Sequence, residues 1–290
     1  MRSRAQRVAP FFLILLTVAI ALPPCIGQAP QQRSNDLPRG WFVYADEKLK
    51  NATEHDTRCF NLSRNEWKVS AEAGGTRIAE NSRGQVEAPA LPRLIHQEDM
   101  TRLQSVTRVN DGWLLAYDGG EFGGGLWVTN DDGSDVRRIS NRDVRAVVMR
   151  DDGVLILSGL VHIVLDSGDA SFYALPHNMN MALQWSIKLD GAPTAYAQQS
   201  GAVIVATTHS LDRLTTSGHL EVLHEFPSWI VQQYANSMAI SADGSIYIGM
   251  RMFVLRLKDQ SGEYSEEWLL PDECRRFTLN EPELKCVCKR

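Results

Sequence analysis

The chain has 290 residues, of which 43% are hydrophobic and 22% charged, with a formal net charge of −5. That composition is globular. Its acidic balance, with no basic block or arginine stripe, argues against nucleic acid or an anionic membrane as the main partner. In chain order, Arg2, Arg4 and Arg7 precede an apolar run from Phe11 to Leu22, the breaker pair Pro23-Pro24, and small residues at Gly27 and Ala29. This is the order of a secretory signal peptide, and the run falls short of the roughly 20 residues a membrane-spanning helix needs. Residues 1–27 are therefore expected to be removed, which carries the net charge from −5 to −8 because three arginines and no acid are lost. The minor alternative is a lipoprotein retained through Cys25, against which Pro24 stands where a small residue is wanted. A periplasmic or extracellular protein with no transmembrane segment after cleavage is the expectation.

Residues 28–38 are polar and proline-containing and read as a disordered lead-in, leaving 39–290 as a single domain. Trp41 to Ala45, Arg58 to Ser63 and Glu66 to Ser70 read as short strands. From Ala71 to Arg93 small and polar residues dominate, which fits either a long loop or a degenerate repeat, and His96 to Leu103 allows one or two helical turns. From Val106 onward one pattern recurs four times. A first turn falls at Asn110-Asp111-Gly112, Asp151-Asp152-Gly153, Ser200-Gly201 and Asp243-Gly244, and a second at Asp132-Gly133, Ser167-Gly168, Ser217-Gly218 and Gln260-Ser261-Gly262. In the second repeat the strands are expected at Val144 to Met149, Val154 to Ser158, Val161 to Leu165 and Ala170 to Leu175, and in the fourth at Ser237 to Ser241, Ser245 to Gly249, Phe253 to Leu257 and Glu266 to Leu270. Met179 to Trp185 is the main helical candidate.

A period of roughly 40–50 residues with four strands is what a β-propeller blade requires, since one such sheet cannot bury both faces alone. Arg276 to Leu279 and Leu284 to Cys288 add two strands after the fourth repeat. The expectation is an all-β propeller of about five four-stranded blades, or six if residues 71–95 form one, closed by strands shared between the two ends of the chain. Cleavage leaves Cys59, Cys274, Cys286 and Cys288, an even number suited to two disulfides in an oxidising compartment. Three pairings are open, and if all four pair, one bridge joins the ends of the chain. Cys286 and Cys288 have a single residue between them and no second closely spaced pair, which disfavours zinc.

Leu126-Trp-Val-Thr-Asn-Asp-Asp-Gly-Ser-Asp-Val-Arg-Arg-Ile-Ser140 resembles the repeat of TolB-like periplasmic propellers: a strand, an Asp-Gly turn, two basic residues and an Ile-Ser ending. The resemblance covers about 15 residues of one repeat. It implies a secreted propeller acting as a protein-interaction platform, without indicating a partner.

In a propeller, the turns between the second and third strands of each blade share a face with the connections between blades, and loops on that face vary at little cost to the core. Here the turns are expected at Gly119 to Gly125, Ser158 to Leu160, Thr207 to Ser210 and Gly249 to Met252, and the connections at His177 to Pro193, Phe226 to Asn236 and Leu270 to Cys274. One rim thus gathers Glu121, Phe122, His177, His209, Trp229, Tyr234 and Arg251. The glycines around Glu121 and Phe122 lack the following helix a phosphate cradle needs. They read either as a loop presenting an aromatic and an acid to a partner or as aids to tight turning. Scattered His162, His177 and His209 do not make a metal site, and Asn130 to Asp135 lacks the spacing of a calcium loop. No catalytic motif is present, so Glu121 and His209 are weak acid–base candidates only. Asn51 and Asn61 match glycosylation sequons, relevant in a eukaryotic source. The sequence favours a non-enzymatic module without cofactor or metal that binds a protein or envelope polymer through this rim. A hydrolase or lyase at the channel mouth and a structural subunit of an envelope assembly are the alternatives.

Overall fold

The computed structural model describes residues 37–44, 63, 65–73, 75–81, 103–110, 112–162, 165–175, 179–227 and 233–274. The strands are β1 (Trp41–Val43), β2 (Trp67–Glu72) and β3 (Gly75–Glu80), then the four repeats. The first comprises β4 (Leu103–Val109), β5 (Gly112–Tyr117), β6 (Gly125–Asn130) and β7 (Val136–Ser140). The second has β8 (Val144–Arg150), β9 (Gly153–His162), β10 (Leu165–Ala174) and β11 (Leu183–Leu189). The third has β12 (Pro193–Gln199), β13 (Ala202–Thr207), β14 (Ser210–Leu214) and β15 (Leu220–Glu225), and the fourth β16 (Ser237–Ile240), β17 (Ile246–Gly249), β18 (Val254–Gln260) and β19 (Glu263–Pro271). Each repeat is one antiparallel meander, and β2 and β3 form a two-stranded hairpin. Among the described residues there is no α-helix; Gly120–Phe122 and Asp272–Cys274 are single 3₁₀ turns. None of these elements is a helix long and apolar enough to cross a membrane.

The sheets stack face to face in chain order. β4 and β5 lie against β8, β9 against β12, β12 against β16, and β16 and β17 against β2. Stacking explains why central strands such as Ala-Val-Ile-Val-Ala-Thr of β13 are buried throughout instead of alternating, for side chains of opposite parity enter different cores. Val203 and Val205 join Leu155, Leu157 and Phe172 between the second and third sheets, while Ile204 and Ala206 join Ile248, Leu255 and Phe253 between the third and fourth. Val154 and Ile156 pack with Leu114, Leu126 and Val128 between the first and second. Val69 of β2 packs with Tyr247, Val254 and Leu269 of the fourth. Each fully buried Val, Leu or Ile contributes about 1.5–3 kcal/mol, so these seams dominate stability. Four meanders and a hairpin stacked through inner strands make the fold a β-propeller of about five blades, with the hairpin at the place of the fifth.

The second repeat departs from the sequence expectation. Ser158-Gly159-Leu160 and Ser167-Gly168 are not turns: β9 and β10 run straight through them, and Gly159 pairs with Gly168. A Cβ at Gly159 would lie 2.7 Å from the Pro193 ring, and one at Gly168 would lie 2.1 Å from the Gly191 carbonyl. These glycines therefore admit the chain entering the next blade, a use of glycine inside strands that turn patterns do not reveal. The fourth strand of this blade is β11, so Leu183–Trp185 is extended, not helical, and the inter-blade connection shortens to residues 190–192.

The C-terminal strands expected to share a blade with the start of the chain lie outside the described residues, but an N-terminal strand does join the fourth sheet. β1 adds a fifth strand outside β19, with Trp41 opposite Pro271 and Val43 opposite Leu269, and Phe42 enters the core of the fourth sheet. Residues 71–93 are read as a loop or degenerate repeat, and part of that stretch forms the β2–β3 hairpin. The signal segment, the lead-in to Asp36, Arg58–Leu62, His96–Arg102, Arg276–Leu279 and Leu284–Cys288 lie outside the described residues. Cys274 is buried at the end of the fourth repeat, and Cys25, Cys59, Cys286 and Cys288 are also outside them.

Candidate functional site

The turns between second and third strands do share a face with the blade connections, because backbone groups of one bond to the other. Thr208 N–H donates to Ala192 O at 3.0 Å, Phe226 N–H to His209 O at 2.7 Å and Arg251 N–H to Gln233 O at 2.7 Å, while in the second blade the corresponding bond starts inside β9, from Gly159 N–H to Asp143 O at 2.9 Å. These bonds run through the backbone alone, so they fix the loops of this rim to the sheets beneath whatever side chains the loops carry.

The Gly119–Gly125 loop shows how each glycine is used. Phe122 N–H donates to Gly119 O at 3.1 Å and Gly123 N–H to Gly120 O at 3.0 Å, closing one 3₁₀ turn. Gly120 (φ 59°) and Gly123 (φ 89°) hold left-handed backbone with open space around them. Gly124 instead meets Asp143, whose Cα would be 2.7 Å from an added Cβ. The Asp143 carboxylate accepts the Gly119 N–H at 3.1 Å, and burial, then the nearby Asp118 charge, push its carboxyl above the ordinary range. The glycines permit tight turning, and the turn they build projects Phe122, which is 73% exposed.

Around this turn the blades are joined by pairs of polar side chains. Glu121 of the first blade lies 3.0 Å from His162 Nε2 of the second. Asp166 of the second lies 2.9 Å from His209 Nε2 of the third, while it accepts the Thr208 hydroxyl at 2.6 Å and the Ala192 N–H at 2.8 Å. Arg145 reaches Asp118 at 2.5 Å across the first seam. On the fourth blade Arg251 stacks 3.9 Å from the Tyr234 ring centroid. Tyr234 (φ 51°) and Met252 (φ 65°) both hold left-handed backbone, a strain that non-glycine residues keep only where the surroundings impose it. A cavity of about 10 Å³ lined by Thr194, Thr207, Thr208, Phe226 and Ile248 sits by this face, sized for one water rather than a substrate.

The rim therefore carries Glu121, Phe122, His209, Tyr234 and Arg251 as expected from sequence, whereas His177 and Trp229 lie outside the described residues. Glu121 and His209 each bind another partner: the structure makes Glu121–His162 and Asp166–His209 the pairs. Sequence reading misses Asp118, Asp143, Arg145 and Asp166. Asp166 sits at the foot of β10 directly after the true turn, but the glycine pattern places that turn elsewhere and so hides its position. At the opposite end of the first blade, the Asn130–Asp135 turn uses its own oxygens: Asn130 Oδ1 accepts the Asp135 N–H at 3.1 Å and Asp132 Oδ1 the Ser134 N–H at 2.9 Å, while Asp131 pairs with Arg108. The two arginines of Leu126–Ser140 are also engaged, Arg137 with Asn180 of the second blade at 2.9 Å and Arg138 with the Gly124 carbonyl at 2.9 Å.

No protein-family model matches the chain, and no curated protein does. Among solved structures, the N-terminal domain of Nup159 is 13% identical over 69% of this chain and 57% of its own length, with a TM-score of 0.39. The extracellular domain of the putative hybrid two-component system BT4673 from B. thetaiotaomicron is 10% identical over 69% of this chain and 26% of its own, with a TM-score of 0.42. Streptogramin B lyase is 12% identical over 70% and 68%, with a TM-score of 0.37. The chain thus spans a little over half of the first and about a quarter of the second, and at such likeness nothing about function transfers. The class is set by the chain's own strands: a β-propeller of about five blades with a rim of paired polar side chains and exposed aromatics.

Proposed function

We propose that this chain is an exported, non-enzymatic β-propeller that binds a protein or an envelope polymer through the rim holding Phe122. The observation that carries the reading is Phe122 itself, a large apolar side chain held in water by a hydrogen-bonded turn, since aromatic anchors on rigid supports bury large area at small entropic cost. Tyr234, 48% exposed under the Arg251 guanidinium, supplies a second anchor of the type enriched at binding hot spots. Export is supported by the basic-then-apolar start of the chain and by Cys274, which is disulfide-bonded. The TolB-like ending at Arg137-Arg138-Ile139-Ser140 agrees with such a module.

The test is a cross-linking pull-down from the native envelope or secreted fraction, using the mature oxidised protein and the variants Phe122→Ala and Tyr234→Ala. The expected result is a specific partner weakened at least tenfold by Phe122→Ala, with stability changed by less than about 0.5 kcal/mol because the side chain is exposed. Loss of stability equal to the loss of binding would place Phe122 in the core and defeat the reading. A second reading, hydrolysis or elimination at the channel mouth, rests on His209 held by Asp166 at 2.9 Å, the geometry of a base with its orienting acid. It requires turnover of a small substrate that His209→Gln abolishes.

A further inference from the structure

At the end of the blades opposite the rim, a pocket of about 500 Å³ opens beside the seam between the third and fourth blades. It is lined by Gln199 from the end of β12, Asp243, Gly244 and Ser245 after β16, and Lys258, Asp259 and Tyr264 from the β18–β19 hairpin. It is a broad depression open to solvent, with exposed Gln199, Asp243 and Asp259 along its walls. We propose that it binds a neutral, polyhydroxylated ligand of the size of a short oligosaccharide.

The lining is polar and already shaped. The Asp243 carboxylate accepts the Ser245 N–H at 3.0 Å and the Ser245 hydroxyl at 3.1 Å, and it also accepts the Ser241 hydroxyl. Asp259 Oδ1 accepts the Gly262 N–H at 2.7 Å, which orients its other oxygen without help from a ligand. Tyr264 is half-buried, with its ring edge-on to His224 at 6.4 Å, so the ring is set in place by a neighbouring blade. Burial and the adjacent Asp259 hold its hydroxyl in the protonated form, a donor as well as an acceptor. A ligand matching these walls brings several hydroxyl donors to the carboxylates and the Gln199 amide, and one C–H face to the tyrosine ring. A sugar ring has both.

The charges exclude other classes. Two carboxylates repel an anion, and the nearby cation, Lys258, lies 3.4 Å from Glu267 and is held there. Among the described residues no group of three or more His, Cys, Asp or Glu side chains is placed to hold a metal ion.

The experiment is isothermal titration of the intact mature protein with maltotriose, cellotriose and chitotriose as neutral probes, trigalacturonate as the acidic one and spermidine as the cationic one. At least one neutral trisaccharide should bind, weakened tenfold or more by Tyr264→Ala and by Asp259→Asn, while Tyr264→Phe retains most of the binding and Phe122→Ala all of it. Tyr264→Phe keeps the ring and its packing, which separates loss of a contact from loss of folding. Failure of all three neutral probes, preferential binding of spermidine or trigalacturonate, or binding indifferent to both Tyr264→Ala and Asp259→Asn would overturn the proposal. Because Phe122 lies on the other face, its variant also separates a failure here from a failure of the rim reading.

Discussion

Asp212 is the residue whose chemistry is least at ease in this fold. It sits on β14 with no exposed surface, and neither carboxylate oxygen meets a donor in good geometry. Burial pushes its carboxyl up to about 6, with the Asp190 charge adding to the rise and the Ser210 hydroxyl opposing it. A folded value above the ordinary 3.8 means that the folded state holds the proton more tightly than the unfolded one. The ionised group therefore weakens the protein fully above about pH 6, and the penalty fades as pH falls toward about 4. Asp212→Asn should raise stability in urea by about 3 kcal/mol at about pH 7.5 and by much less at about pH 4, since each pH unit separating the folded from the unfolded value is worth about 1.4 kcal/mol. An equal gain at both values would show that charge is not the cause. A sequence shows an Asp in an apolar strand, Ser-Leu-Asp-Arg-Leu, but not that its face is sealed by the adjacent blade. The rim is legible for the same reason in reverse: Phe122 and Tyr234 stand in loops, where an aromatic has no core to enter, while the partners of Glu121 and His209 depend on how neighbouring blades meet.

At the scale of the strand, the fourth blade has a charged group at its centre. Arg256 of β18 is fully buried and donates to Glu267 of β19 at 2.6 Å through Nε, with its guanidinium 5.9 Å from the Tyr247 ring centroid. Glu267 is about a quarter exposed and Arg256 also reaches the Tyr247 hydroxyl, so removing Glu267 costs at most about 3 kcal/mol, the low end for a broken buried pair, whereas an apolar replacement of a buried ion of similar volume is often neutral. Glu267→Ala should thus lower stability by up to about 3 kcal/mol and Arg256→Met by clearly less, measured by urea unfolding. The reverse order would mean that Glu267 is stabilised mainly by water and Lys258. The strands themselves are largely readable, since the Asp-Gly and Ser-Gly turns at 151–153, 200–201, 217–218 and 243–244 fall between strands as their chemistry demands. The second blade is not, because Gly159 and Gly168 serve the approach of residues 191–193, and a glycine needed for space carries the same letter as one needed for a turn.

In the whole molecule, each seam between consecutive four-stranded sheets carries a histidine facing a carboxylate: His162 with Glu121, His209 with Asp166, and His224 with Glu266 at 2.8 Å. The apolar cores between sheets supply most of the cohesion, and the fourth sheet gains a further part from β1 through Phe42, which is 4% exposed. Phe42→Ala should cost about 3–4 kcal/mol, as large aromatic truncations in cores do. It should also speed proteolysis within β19, read by limited digestion; a melting temperature within about 1 °C of the parent would show that β1 is an accessory. The placement of β1 has a consequence for how the protein is made. It leaves the ribosome before every other described strand and pairs with the one that leaves last, so its hydrogen bonds stay unmade until the final repeat has been synthesised. A product cut short anywhere before β19 retains β1 without the strand that it pairs with among the described residues.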